Sequence, residues 1–545
     1  MRAVVAALAV VLMLPGLAHA AAPASMSSLE EPLQPVPSLS DRPIVTGVYR
    51  VRFTTTAAEA LVVAEAAPAM QALHRREHPL QYQIDVWSGA NPDWEVYFSY
   101  RGAVVADVQV SPAGVLRHVW TGPLALTATG RGHLAGLFDS PLIVLTFAVL
   151  FLVPFVDPQR LRHPAPLDAL LLLAAFGVPY YLFNNTHFVA SVLLVYPFLL
   201  AVIARMLWLG LRDRPRAGPE PRWPMPMLVA GLVVLVVARI VLDLIGPKVI
   251  DVGVASVMGA HAIAHGQALY GTAPDHADTY GPIVYLAYLP FELIWRWNGG
   301  YGFVPAAHAA AVVFDLATVA GLIVLGRRLR PGPAGRRLGL TLAWAWCAYP
   351  VSLFALMNNT NDGLVSLLFV ILLLVATSPT GRGAIIGLAA AAKLFPAILL
   401  PLFARARPGR GRRDAAITAA VFALVVVAAF APFVPSGGLH ELYARTLGFQ
   451  IGRPDEFSVW GQHPALKWLQ RGLEVLVCAG AAATLWLSPR RSLAALAALA
   501  AAITLAVQLP AEHWFYFYLD WAAPFVLVAL LARPDRFQAR PGRVR

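Results

Sequence analysis

From Ser140 to the C-terminus, apolar runs of 17 to 24 residues recur along the chain. A helix of about 20 residues is what crosses the hydrocarbon of a bilayer, so each run is a candidate membrane span. Eleven full-length spans are expected, at about 138–156, 166–183, 188–211, 226–245, 303–326, 337–357, 361–378, 414–434, 466–487, 490–509 and 515–533. The fold class is therefore mainly α and polytopic. Composition agrees: 58% of the 545 residues are hydrophobic and 13% are charged, against about 25% charged in soluble domains.

The formal charge of +12 does not point to nucleic acid, because the basic residues sit in short loops between apolar runs. Cytoplasmic loops collect Lys and Arg. With the chain entering from outside, the inner loops hold 24 basic residues and the long outer loops, 246–302 and 435–465, hold 4. This orientation puts residue 251 outside and the basic tail 534–545 inside. The stretch Gly383–Phe403 is long enough to cross once, yet a crossing would put the Arg-rich loop 405–413 outside. A re-entrant hairpin of two half-length helices, with Lys393 to Pro396 at its tip, keeps both ends inside. Pro396, which has no N–H, favours the break. Pro282 to Trp297 is read as an interfacial helix on the outer side.

The N-terminus has a basic start at Arg2, an apolar stretch Ala3–Leu14 and an Ala18-His19-Ala20 ending, the pattern of a secretory signal peptide over 1–20. Residues 21–45 read as a linker. Within 46–135, a helix is expected over Thr55–His74, then strands at Gln81–Trp87, Trp94–Tyr100, Ala103–Val110 and Val115–Trp120, where apolar and polar residues alternate between turn signals. This small exported α+β domain resembles a PepSY-like module, down to its V-x-V-S-P-A-G-V-L ending. Residues 136–224 are expected to form accessory transmembrane helices. Cys347 and Cys478 lie in apolar segments and read as small core residues.

Polar residues gather on the outer side. Asp251 follows the fourth span and opens a run of small residues reaching Gly266 and Tyr270; Asp278-Thr-Tyr280-Gly-Pro282 follows. Further on stand Asn361-Asp362-Gly-Leu, Gly387-Leu-Ala-Ala-Ala-Ala-Lys393-Leu-Phe-Pro396 and Phe449-Gln450-Ile-Gly-Arg453. In this order and spacing the chain resembles the integral-membrane glycosyltransferases of the GT-C superfamily, family 87, over roughly 225–533. The resemblance implies an inverting glycosyltransferase that moves a sugar, mannose or arabinose, from a polyprenyl-phosphate donor. The acceptor would be an exported glycan or lipid at the outer face of a bacterial cytoplasmic membrane. A carboxylate near the acceptor serves as base, and cations steady the departing phosphate. Asp251 is the candidate base. Lys393, Arg453 and Lys248 are the candidate donor-phosphate ligands. Tyr270, Asp278, Tyr280, Asn361, Asp362, Gln450 and His513 are candidate substrate contacts.

Each of these residues also has a plainer reading. Asp251 and Asp362 are placed to cap helices, and Lys393 to snorkel. Arg239 and Asp243, four apart on one span, are expected to neutralise one another, and Asp315 to pair with another helix. His261, His265 and His276 lack the spacing of a zinc site, so no metal and no cofactor beyond the lipid-linked donor is expected. The competing function is a lipid or small-molecule transporter with an outer sensor domain, in which Arg239 and Asp315 would line a path.

Overall fold

The computed structural model describes residues 34–35, 38–40, 42, 44–46, 50–76, 79–87, 93–100, 103–121, 140–156, 164–184, 187–212, 223–245, 249–271, 278–298, 304–405, 411–452, 457–487 and 491–532. The signal peptide, most of the linker, Lys248, His276 and Arg453 lie outside the described residues.

The N-terminal part is α+β, as the alternation implied. Strands Gln81–Trp87, Asp93–Tyr100, Ala103–Val110 and Leu116–Thr121 form an antiparallel meander, and Gln34–Pro35 adds an edge strand beside the first. The expected single helix is two, Ala57–Ala66 and Pro68–His74. Pro68 has no N–H to continue the ladder, and Ala67 before it is extended at ψ 135, the bias a following proline imposes. Thr56 and Glu59 close the first helix with a capping box. Trp94, Val96, Phe98, Ala106 and Val108 pack with Ala57, Ala60 and Met70 as one core.

The other face of the sheet is buried and acidic. Register puts Glu95 opposite Asp85 and Gln109, and Tyr97 opposite Asp107; Asp85, Asp93, Glu95 and Asp107 are each 4% exposed or less. Burial pushes the Asp93 carboxyl up to about 7, against the pull of Arg117. Glu95 is raised by burial and by the neighbouring Asp107, and Asp107 is raised by its own burial. A carboxyl whose folded pKa lies above its unfolded value favours folding below the unfolded value, and that advantage is lost as pH rises through the folded one. Strands Asp93–Tyr100 and Ala103–Val110 of the intact protein should therefore show larger hydrogen-exchange protection factors at pH 5 than at pH 8. Asp107→Asn should shrink the difference.

The remainder is helical and apolar. Among the described residues five helices are long and apolar enough to cross a membrane: Ala165–Phe183, Val189–Arg212, Met225–Ile245, Pro305–Leu329 and Gly411–Phe433. A sixth candidate is the pair Gly332–Ala348 and Pro350–Met357, bent by 60°. The eleven full-length spans are not reproduced one for one. At several expected positions stand shorter apolar helices, Asp362–Leu374, Leu493–Ala506 and Tyr518–Leu531 among them. Helix Lys467–Leu487 lies at the expected 466–487. Trp468 and Trp486 on it are 73% and 71% exposed. They are five turns and about 27 Å apart on one face at 1.5 Å per residue, the spacing of an interfacial aromatic belt. Cys347 is buried as expected; Cys478 is exposed on this same helix rather than in the core.

The bent pair explains where the buried charges went. Tyr349 precedes Pro350 and is extended at ψ 120, so the ladder breaks and carbonyls are released. The Arg239 guanidinium donates to the carbonyls of Cys347 at 2.9 Å and Ser352 at 3.1 Å. It also forks onto Asp315 at 2.7 and 3.1 Å, and Trp346 Nε1 donates to the same carboxylate at 2.8 Å. Arg239 therefore pairs with Asp315 on another helix, as expected of Asp315, and not with Asp243 four residues along. Asp243 takes His308 Nδ1 at 3.1 Å and the Asn359 amide. Removing one member of a buried pair strands the other, at a cost of about 3–5 kcal/mol. Arg239→Met should lower thermal stability in detergent by that much, and Arg239→Met with Asp315→Leu should recover most of it.

Candidate functional site

Three departures from helical geometry converge. The first is the turn Asn358–Asn361 between helices Pro350–Met357 and Asp362–Leu374. Asn359 sits in the left-handed region at φ 51, which Asn tolerates better than most residues. The second is the break at Ala391–Leu394, between helix Pro379–Ala390 and the 3-10 turn Phe395–Leu399 that leads into Leu400–Ala404. The expected two-piece segment is present, with Lys393 in its break. The third is the loop Asp278–Gly281 that enters helix Pro282–Ile294.

The loop is seated on the break by its backbone. Gly281 N–H donates to the Ala392 carbonyl at 3.0 Å and Ile283 N–H to the Ala391 carbonyl at 3.1 Å. A Cβ on Gly281 would stand 2.0 Å from the Ala391 oxygen, so no larger residue allows this approach. Tyr280 is fixed on both sides: its N–H donates to Tyr285 Oη at 3.1 Å and its carbonyl accepts from Tyr270 Oη at 2.9 Å. The Tyr280 ring is thereby held 5.5 Å from Lys393 Nζ.

Lys393 is not alone. Its ammonium pairs with Asp362, which opens helix Asp362–Leu374 and is 1% exposed. Trp521 Nε1 donates to the same carboxylate oxygen at 2.6 Å. The rings of Trp521 and Tyr518 lie 5.2 and 5.9 Å from the ammonium, within cation–π range. Trp521 is itself stacked between Phe395 at 4.2 Å and Tyr518 at 4.1 Å. His513 stands 6.0 Å from Tyr518, and Phe457 5.9 Å from His513. Asp362 is thus neither a helix cap nor exposed to solvent: its carboxylate is taken up by Lys393 and Trp521.

Asp251 is the first residue of helix Asp251–Ala264, after the N-cap Ile250. Its exposed carboxylate accepts only the neighbouring Val252 N–H, at 2.7 Å, among the described residues. The helix start is anchored on the Asn358–Asn361 turn. Asn361 Nδ2 donates to Ser256 Oγ at 3.0 Å, and a Cβ on Gly253 would meet the Asn359 carbonyl at 2.5 Å. Tyr280 stands beside Lys393 and within electrostatic reach of Asp251. Burial first, then the charge of Asp251, and more weakly those of Tyr518 and Asp362, push its hydroxyl well above the usual tyrosine range.

The remaining residues frame this centre. Asp278, 1% exposed, accepts from Gly271 N–H at 2.7 Å and lies 3.7 Å from Arg445, a cation the sequence reading did not single out. Gln450 is half-buried on the short helix Phe449–Gly452. Glu512, which precedes His513, pairs with Lys467 at 3.3 Å. His261 Nδ1 is 2.7 Å from the buried Glu292, and His265 Nδ1 is 2.8 Å from the His261 carbonyl. Among the described residues no group of three His, Cys, Asp or Glu is arranged to hold a metal.

Trp521, Tyr518 and Phe395 were missed because aromatic residues in apolar runs look like core in one dimension. The loop contact gives a direct check. Gly281→Ala should lower thermal stability by about 1–3 kcal/mol through overpacking. Gly472→Ala, at a helical position where a Cβ meets nothing within 4 Å, should leave it unchanged or raised.

The profile of Glycosyltransferase family 87 matches residues 279–511. The matched residues include Tyr280, Asn361, Asp362, Lys393 and Gln450; Asp251, Tyr270 and Asp278 lie upstream of them and His513 just beyond. No curated protein and no solved structure matches the chain.

Proposed function

From residues 279–511 as the family 87 glycosyltransferase region of a multi-pass membrane protein, we propose an inverting transferase for polyprenyl-phosphate sugars. It acts at the outer face of a bacterial cytoplasmic membrane, where nucleotide sugars are absent. The sugar is mannose by the family resemblance, and the acceptor is a hydroxyl of an exported glycan or lipid. The observation that carries the reading is a lysine ammonium held at a break among apolar helices beside Tyr280, with the exposed carboxylate of Asp251 within electrostatic reach of the same tyrosine.

In this mechanism the acceptor oxygen attacks the sugar C1 while Asp251 takes its proton. The bond between C1 and the phosphate oxygen breaks, and its electrons leave on the polyprenyl phosphate. Lys393 steadies that developing charge. Of the described cations placed at the centre, Lys393 and Arg445 already face the carboxylates Asp362 and Asp278, so an anionic donor needs further cations. Lys248 and Arg453, both in the outer loops by the charge asymmetry of the sequence, are proposed to supply them. Tyr270 and Asp278 hold the loop that carries Tyr280. Asn361, Gln450 and His513 are proposed to contact the sugars. The transporter alternative relied on Arg239 and Asp315 lining a path; these two bind one another and a broken helix instead.

Asp251→Asn removes the base and keeps the shape. Transfer of label from a radiolabelled polyprenyl-phosphate mannose to acceptor in isolated membranes should fall by about 10²–10⁴-fold, the usual weight of a general base, with the protein inserted in normal amount. Unchanged turnover in that variant would discard the assignment.

A further inference from the structure

A charged lysine inside a membrane protein needs a counterion, and the identity of the counterion decides what the lysine can do. Lys393 comes from the break at Ala391–Leu394 and Asp362 from the start of another helix, 31 residues away. The pair exists only because the Asn358–Asn361 turn and the break face one another. The lysine side chain is 10% exposed and the carboxylate 2%. The acid therefore lies behind the lysine and away from the surface where an acceptor would arrive. Its Oδ1 is shared between the ammonium and Trp521 Nε1. An ammonium has three donors, and one of them is directed to Asp362.

We infer that Asp362 is a positioning residue. It neutralises Lys393 in the empty site and, with Trp521 and the Tyr280 and Tyr518 rings, aims the remaining ammonium donors at the phosphate of a polyprenyl-phosphate ligand. It acts through Lys393 and does not touch the acceptor. This rests on the proposed lipid-phosphate chemistry but adds a division of labour: Asp251 serves the acceptor, and Asp362 serves the phosphate by way of Lys393. Trp521 holds Asp362 from the other side. Because Oδ1 is common to both donors, a change at Trp521 is felt at the lysine.

The test is a double-mutant cycle on the full-length protein in nanodiscs. Asp362→Asn, Lys393→Met and the double variant are compared by transfer rate and, separately, by thermal shift with undecaprenyl phosphate alone. If Asp362 acts through Lys393, each single change weakens lipid-phosphate binding and transfer by on the order of 100-fold, the scale of unpairing a buried charge. The double variant is then no worse than the poorer single one. Asp362→Glu should keep transfer within about tenfold of wild type, because the charge survives. Trp521→Phe, which keeps the ring and removes the N–H, should weaken binding of the same probe and supplies the readout if Asp362→Asn does not fold. Losses that multiply in the double variant, or a Trp521→Phe protein that binds undecaprenyl phosphate normally, overturn the inference. So does an Asp362→Asn protein that binds it normally and loses only acceptor affinity. A wild-type protein that neither transfers sugar nor binds the probe would instead sink the reading on which the inference rests.

Discussion

Inside a bilayer no water satisfies the backbone, so a chain that leaves helical geometry must find its hydrogen-bond partners within the protein. Most of this structure follows from that constraint. The break at Tyr349–Pro350 is met by the Arg239 guanidinium, which binds the carbonyls on both sides and is itself neutralised by Asp315. The Asn358–Asn361 turn is met by its own asparagines: Asn358 and Asn359 donate to the Phe354 and Leu356 carbonyls, and Asn361 reaches helix Asp251–Ala264. The break at Ala391–Leu394 is met by the loop that carries Tyr280. Buried polar residues that look functional in isolation are in large part the means by which irregular backbone is tolerated.

That division separates structural charge from chemical charge. Arg239, Asp315, Asp243 and His308 bind one another or backbone and are buried. Asp251 is exposed and uses only its neighbour's N–H among the described residues. Lys393 is partly exposed, with one carboxylate behind it and aromatic rings around it. Tyr280, whose backbone is held on both sides, stands beside Lys393 and within electrostatic reach of Asp251. In the proposed reaction, proton removal by Asp251 and phosphate departure beside Lys393 would fall on opposite sides of one sugar carbon.

Much of this was legible in the sequence, and the limits have physical causes. Periodicity and run length identified the helical class and the sheet strands to within a residue or two; the Arg-rich loop 405–413 and Pro396 identified the broken segment around Lys393. Order and spacing pointed to the family whose profile matches residues 279–511. What failed was partner choice. Arg239 and Asp243 share a helix face, but the broken helix offers Arg239 carbonyls that Asp243 could not replace. Asp362 read as a substrate contact or a cap because it opens a helix, whereas its partner comes from 31 residues away. Helix length was overestimated by a few residues at the ends, where apolar residues continue past the last turn, as at Leu493–Ala506 within the expected 490–509 and Tyr518–Leu531 within the expected 515–533. Hydropathy registers the apolar residues that flank a helix end and not the point at which its ladder stops.

The central claim is that a lipid phosphate binds between the lysine at position 393 and the carboxylate at position 251. An experimental structure of the protein in nanodiscs with a polyprenyl phosphate bound tests it most directly. The account predicts phosphate density beside the Lys393 ammonium, under the Tyr280 ring, with Asp251 opening toward the same cleft. A headgroup resolved elsewhere on the helices, with the Lys393–Asp362 pair closed off from it, would contradict the account.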